Sequence, residues 1–498
     1  MNQLFRTKDI DRLVEQAAHP EHRLKRLLGP WSLIGLGIGA VIGGGIFVLT
    51  GTAAAGESVA VPSILKAPVL DLLLHGQNVV STYGRPGAGP GIALSFLLTA
   101  VVCGFAALCY AELASMIPIA GSAYTYAYAT LGELAAWIIG WDLILEYAVS
   151  NMAVAAGFSA YFNDILDSLF GFRLPEMLSR PAIEAGAYSG AIFNLPAFLI
   201  LMILTVLLVW GIRESAEVNN AMVGIKVFAI LVFVFGAASA IDTANYHPFL
   251  PNGYQGLLTG AAIVFFTYIG FDSVSTAAEE CRNPQRDLPI GIVGTLAACA
   301  ILYVSVALVL TGIVNWKELG NAAPVVNALN SLGFQSIRQI VGVGAVMGMI
   351  SSLMVYQYGQ ARIWFAMSRD GLLPRFFSRV HRRHKTPHIS TWVAGLAVGI
   401  PAGVWDIGTF ADLASIGTLF AFVVVSAGVL ILRKTQPERP RGFRVPWVPV
   451  TPWISISACF LLMLGLPLET WIRFVVWLLI GLVIYWKFGM RHSEFARR

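Results

Sequence analysis

Lys226 stands inside an apolar run, Asn219-Asn-Ala-Met-Val-Gly-Ile-Lys-Val-Phe-Ala-Ile230, with little around it to solvate an ammonium. An ionisable residue in such a run is a functional candidate by default, because its charge needs a partner or a cavity. It lies about two turns beyond Asn219 and Asn220, which is deep for snorkelling to an interface. A lysine so placed could gain and lose a proton at working pH. Glu146, in Trp141-Asp-Leu-Ile-Leu-Glu-Tyr147, is a second such group. It could meet a cationic ligand tail or pair structurally. The third feature is backbone. Gly35-Leu-Gly-Ile-Gly-Ala-Val-Ile-Gly-Gly-Gly-Ile-Phe-Val-Leu-Thr-Gly51 lies in a stretch with no charge from Trp31 to Gly56.

Glycine costs roughly 1 kcal/mol per residue in a helix interior. Gly43-Gly44-Gly45 therefore predicts an unwound point, with a second half-helix starting near Ile46. In a membrane such a break survives only where it lines a cavity or is buried in protein. The new helix N-terminus attracts an anion, and the freed carbonyls attract a cation. Helix packing is the plainer alternative, and it is preferred for Gly35 and Gly39, which with Gly43 form a GxxxGxxxG ladder. Gly35-x-Gly37-x-x-Ala40 also fits a loose dinucleotide fingerprint, but no strand of a βαβ unit precedes it.

These groups need elements to hold them. The chain has 498 residues, 57% hydrophobic and only 12% charged. A soluble domain carries about 25% charge. Many apolar runs exceed about 18 residues, which predicts an all-α polytopic membrane protein. Twelve spans are expected, near 31–55, 91–116, 126–158, 192–212, 217–240, 257–279, 288–313, 337–366, 389–405, 409–432, 450–467 and 471–488. With the N-terminus in the cytoplasm, cytoplasmic segments and span ends hold 25 of the 33 Lys and Arg residues, against 7 outside and Lys226 within a span. That excess places both termini inside. The polar first residues, with Arg6, Lys8, Arg12, Arg23, Lys25 and Arg26, read as a cytosolic arm and not as a signal peptide. The net charge of +5 follows from this topology and does not imply nucleic acid.

Two outside segments are long: Glu57–Pro90, with a short interfacial helix after Pro62, and Asn163–Asn194. The uncharged inside segment from Pro118 to Tyr126 reads as a partly re-entrant loop. Cys103, Cys109, Cys281, Cys299 and Cys459 have no metal-ligand spacing and read as small buried hydrophobes. His381, His384 and His388 stand among Arg and Lys and read as a solvated basic loop. No HExxH, Walker A or GxSxG motif occurs, and no cofactor or metal is expected.

A second break follows five spans after the first, in Val264-Phe-Phe-Thr-Tyr-Ile-Gly-Phe-Asp-Ser-Val-Ser-Thr-Ala-Ala-Glu-Glu280. Gly270 interrupts it, and Asp272 and Ser273 offer cap chemistry for a restarting helix. Interrupted spans 1 and 6 of opposite direction predict an inverted 5+5 repeat with substrate between the breaks. The organisation expected is an arm (1–30), a first repeat (31–240), a second repeat (241–432), spans 11 and 12 (433–488) and a cytosolic tail (489–498).

The two broken stretches and Ser368-Arg-Asp-Gly-Leu-Leu-Pro374 together resemble amino-acid permeases of the amino acid–polyamine–organocation (APC) superfamily, nearest the bacterial cationic amino acid transporters. The resemblance covers nearly the whole chain apart from the two long outside segments. It implies a LeuT-like fold and secondary active amino-acid transport. It further implies that the substrate carboxylate takes N–H groups near Gly44 and Gly45. The ammonium would take carbonyls at Val41, Ile42, Phe266, Thr267 and Ile269, with Phe266 as the outer shield. A core aromatic is the alternative for Phe266. Lys226 matches the family's span-5 lysine, which stands where sodium sits in sodium-coupled relatives, with Ser351 and Ser352 as the matching hydroxyls. That implies proton coupling. Glu146, Tyr356 and Gln357 would touch the substrate side chain, cationic or small neutral. Asp272, Glu279 and Glu280 would form an inner gate with nearby Arg residues. The partners expected are an amino acid, protons and membrane lipids.

An exchanger is the principal rival. A transporter-like sensor is disfavoured by the short tail after span 12, a membrane enzyme by the absence of clustered ligands, and a channel by the lack of a continuous polar stripe.

Overall fold

A computed structural model describes residues 4–11, 28–58, 62–76, 84–119, 121–184, 187–210, 216–381, 383–384 and 386–493. Most of the arm expected over 1–30 and the last residues of the tail therefore lie outside the described residues, as do parts of the first long outside segment. The side chains of Asn219, Asn220 and Glu279 are also outside the description.

The chain is a bundle of apolar helices. Helix α1 is Pro30–Val41 and α2 is Gly44–Ala55. Pro30 suits the first helical turn, where its missing N–H costs nothing. The two helices meet at 51° across a break of two residues, Ile42 and Gly43. The second helix thus starts at Gly44, two residues before the expected Ile46. Gly43 is needed there for space: a Cβ would fall 2.7 Å from Ser352 Oγ.

Next come α3 (Val69–His75), α4 (Ile92–Met116), α5 (Ser122–Thr130) and α6 (Glu133–Phe170). Then follow α7 (Leu195–Val209) and α8 (Ala216–Ala237). The order then recurs. A second broken element opens with α9 (Gly253–Val264) and continues as 3-10 turns, Phe265–Tyr268 and Phe271–Glu280. After it stand α10 (Pro284–Ile313), the short α11 (Pro324–Ser331), the long α12 (Gln335–Arg369), α13 (His388–Val404) and α14 (Ile407–Thr435). Two more helices, α15 (Val450–Leu464) and α16 (Leu468–Ile484), close the chain.

By length and composition, eight helices among the described residues can cross a membrane, or nine if the bent pair counts as one span. The expected spans 192–212, 389–405 and 450–467 appear as shorter apolar helices, α7, α13 and α15. Helix α6 has 38 residues and α12 has 35, so at 1.5 Å per residue each is longer than the ~30 Å hydrocarbon core. Exposed apolar side chains such as Leu97, Val101, Phe228, Phe235, Ile301, Val476 and Leu479 cover the outer faces. Buried side chains from both broken elements and from α4, α6, α10 and α12 form one continuous core. All five cysteines are buried and free, as expected.

The described parts of the segment between α2 and α4 hold more than a plain loop. Strands β1 (Gly56–Ser58) and β2 (Gly84–Pro86) pair antiparallel with Glu57 opposite Arg85. Buried Arg85 bonds Glu57 at 2.5 Å and Asp412 of α14 at 2.9 Å. A small second ribbon pairs Ile183–Glu184 with Ala187–Tyr188. The uncharged inside segment forms α5, every residue of which is buried. The described part of the arm packs back on the body. Lys8 pairs with Asp370 at 2.9 Å, and Leu134 N donates to Leu4 O at 3.0 Å.

Candidate functional site

The two breaks touch. Gly270 has φ +118°, a left-handed conformation that suits glycine, and a Cβ on it would lie 3.2 Å from the Ala40 carbonyl carbon. Gly45 approaches the other strand of the site as closely: a Cβ there would be 3.0 Å from Thr267 Cα. Gly44 has more room, with Val154 Cα at 3.5 Å. No side chain caps the N-terminus of α2, so its N–H groups keep the anion-attracting character of an open helix start.

Several backbone carbonyls at the breaks receive donors from other helices. Lys226 on α8 is fully buried and donates to Gly39 O at 2.6 Å and Ile42 O at 2.9 Å. Ser352 on α12 lies 3.4 Å from the carbonyl oxygens of Gly39, Ala40 and Ile42. Tyr303 on α10 bridges the two breaks, its hydroxyl 3.1 Å from Val41 O and 2.9 Å from Thr267 O. Tyr356 donates to Ile269 O at 3.1 Å, and the Phe266 carbonyl accepts Ile269 N–H at 3.2 Å. Phe266 is buried.

Val41, Ile42, Gly44, Gly45, Phe266, Thr267, Ile269, Tyr356, Lys226 and Ser352 are thus drawn together at the breaks. Ser351 and Gln357 are not among them. Ser351 Oγ is buried with no partner. Gln357 turns to α7, where its amide bonds Thr205 Oγ1 and reaches Leu201 O at 3.4 Å. Neighbouring residues of one helix point about 100° apart, so Tyr356 and Gln357 cannot share a face. Glu146 is buried, with Oε2 unpartnered, in the field of Asp272 and Asp142. The pairing of Asp272 with arginine expected for an inner gate is not formed among the described residues. Asp272 meets Ser122 Oγ at 3.4 Å and pairs with no arginine among the described residues. Ion pairs lie instead at Lys8–Asp370 and at Glu112, which holds both Arg433 (2.7 Å) and Arg441 (3.1 Å). Ser273 does act locally, with its hydroxyl 2.5 Å from Gly270 O.

Tyr303 escaped the sequence reading. It is one tyrosine in an apolar helix, and nothing in its spacing links it to either break. Asp142 was equally silent beside Glu146, although the interval of four residues puts both on one helix face.

A helical membrane protein with two interrupted spans meeting backbone to backbone has the architecture of transporters built on broken helices. A model of the amino acid permease family matches residues 28–485. The chain belongs to that family. It is 46% identical to a branched-chain amino acid permease, BcaP, of Bacillus subtilis over 493 residues, covering 99% of this chain and 98% of that protein. A methylthioribose transporter of the same organism is 42% identical, covering 99% of each. A chloroplastic cationic amino acid transporter 9 of Arabidopsis thaliana is 34% identical, covering 95% of this chain and 89% of that protein.

Proposed function

We propose that this chain takes up L-amino acids, cationic or small neutral, in symport with protons, across the inner (plasma) membrane with both termini in the cytoplasm. The observation that carries the reading is the pair of bonds from Lys226 to Gly39 O and Ile42 O. Protonated, the lysine ties α8 to the end of α1. Deprotonated, it loses its charge and one donor, which creates two states of different stability. A substrate ammonium arriving at Ile42 O would compete with Lys226 for that carbonyl. Substrate binding and proton loss would then be linked through one oxygen. The substrate carboxylate would meet the open start of α2 near Gly44 and Gly45.

Support for twelve spans comes from the nine long or bent spans together with the three shorter apolar helices. Support for a 5+5 repeat comes from the recurring order: broken element, straight helix, short helix, very long helix, then two more. Exposed apolar faces would meet lipid. For the substrate side chain, Tyr147 and Tyr356 (5.9 Å apart) with Glu146 offer an aromatic wall and a carboxylate.

The test is uptake into proteoliposomes with and without an inside-alkaline pH gradient. Arginine, alanine, leucine and methylthioribose serve as competitors, since relatives carry branched-chain, cationic and methylthioribose names. Wild type should accumulate amino acid with the gradient and ignore sodium. Lys226→Ala and Lys226→Met should lose accumulation and keep counterflow. Sodium dependence, or accumulation by Lys226→Ala, would overturn the coupling. Uptake only against internal amino acid would make the protein an exchanger. Competition by methylthioribose alone would reassign the substrate.

A further inference from the structure

Helix α6 carries Asp142, Glu146, Ser150 and Val154 at intervals of four residues, which is one face of a helix. Both Asp142 oxygens, Glu146 Oε2 and Ser150 Oγ are buried with no hydrogen-bond partner. Asp142 and Ser150 have no exposed surface, and Glu146 has 4%. Val154, at the head of the row, packs at the break, facing Gly43 and Gly44. Gly417 on α14 leaves a cradle at the foot of the row: a Cβ there would fall 2.7 Å from Asp142 Oδ1. Glu146 is the nearest acid to Asp142 on its own helix, and Asp272 stands across from Glu146.

Among the described residues, no ion pair to a cation is formed by this row. Helix α12 carries Arg338, bound to Asp164, and Arg362, stacked 4.0 Å over the Tyr358 ring. Its Arg369 is in the last turn, as are Arg433 and Lys434 of α14. On α16, Arg473 pairs with Glu469 at 3.4 Å. Asp412 of α14 is bound to Arg85. His388 opens α13, beside the His381 ring at 5.2 Å, while α2, α5 and α7 carry no charge. An ionised carboxylate buried without a hydrogen-bonding partner is costly, so Asp142 calls for a proton or a bound cation. No group of three or more metal-ligating side chains forms among the described residues, and an ionised carboxylate binds a single proton without further ligands.

We propose that Asp142, with Glu146 one turn above it, is a second proton-binding site, separate from Lys226. A proton from water adds to one carboxylate oxygen of Asp142 and gives the neutral acid. Release returns it to water, and only that O–H bond forms or breaks. Ser150 stands between this site and the break, as the next hydroxyl in the row. The site does not depend on Lys226 being the coupling residue.

The experiment is infrared difference spectroscopy, acid minus alkaline, on the full chain in lipid, with and without 13C-labelled aspartate. Wild type should show a carboxylic-acid carbonyl band that shifts with the label. Asp142→Asn should lose it, Asp142→Glu should keep a displaced band without the aspartate shift, and Lys226→Ala should keep the wild-type band. An unchanged band in Asp142→Asn overturns the proposal. So does sodium-22 binding that Asp142→Asn removes. Should the asparagine variant fail to fold, a labelled wild-type band that persists in Asp142→Glu overturns it as well. Loss of coupling assigned to Lys226 would leave these bands untouched, so the two readings fail separately.

Discussion

At the scale of single residues, the site is built from backbone and held by four side chains: Lys226, Ser352, Tyr303 and Tyr356. Tyr303 is the one that touches both breaks. Tyr303→Phe keeps the ring and deletes the bridge. A buried hydrogen bond contributes about 0.5–1.5 kcal/mol, so the variant should unfold at slightly lower temperature in detergent and transport more slowly. Wild-type values in both assays would mean that the hydroxyl does not link the breaks. The glycines differ in a testable way. Gly45→Ala pushes a methyl against Thr267 Cα and should cost about 1–3 kcal/mol through overpacking. Gly44→Ala meets Val154 at ordinary contact distance and should fold normally. If Gly44→Ala then binds amino acid weakly by calorimetry, the lost space belongs to the ligand. If the two variants are equally stable, the packing described for Gly45 is wrong.

At the scale of elements, the segment between α2 and α4 works as a clasp. Its ribbon sets Arg85 against Glu57, and Arg85 reaches Asp412 on α14. Burial by itself would lower the Arg85 pKa, but Asp412 and Glu57 overcome that and hold it raised. The guanidinium therefore stays charged at any working pH. Val69 N–H donates to Leu466 O at 3.1 Å, and Leu468 N–H to Ala67 O at 3.0 Å. Lys66 adds a bond to Glu469 at 2.5 Å. One segment thus ties together the first broken element, α14 and α16. Removing one partner of a buried pair leaves the other uncompensated, at about 3–5 kcal/mol. Arg85→Ala should lower thermal stability by that order, and Asp412→Asn in the same background should recover part of it. Equal melting of Arg85→Ala and wild type would make the clasp a surface pair with no structural weight.

At the scale of the molecule, the topology can be read chemically. The five native cysteines are buried, so an introduced thiol should report against a low background. Asn321→Cys, beyond the end of α10, should react with a membrane-impermeant maleimide added to whole cells. Arg383→Cys, between α12 and α13, should react only after the membrane is opened. The reverse pattern would invert the orientation drawn from the Lys and Arg distribution.

The sequence alone determined the class of protein. Apolar run length and the absence of charge report directly on bilayer thickness, and each is a local or compositional property. It also located both interruptions, since glycine is a poor helix former whatever surrounds it and Gly43 and Gly270 stand in otherwise apolar runs. It singled out Lys226, because a charge in an apolar run is visible without any contact. Only the tertiary structure decided which side chains answer the breaks. Tyr303 and Ser352 reach them, whereas Ser351 and Gln357, each the neighbour of a site residue, do not. One step along a helix turns a side chain by about 100°, and the rotation of α12 against α1 and α7 is set by packing between segments hundreds of residues apart. The same holds for Arg85, whose partner on α14 is 327 positions away. No periodicity or spacing in one strand of sequence encodes which distant carboxylate will meet it.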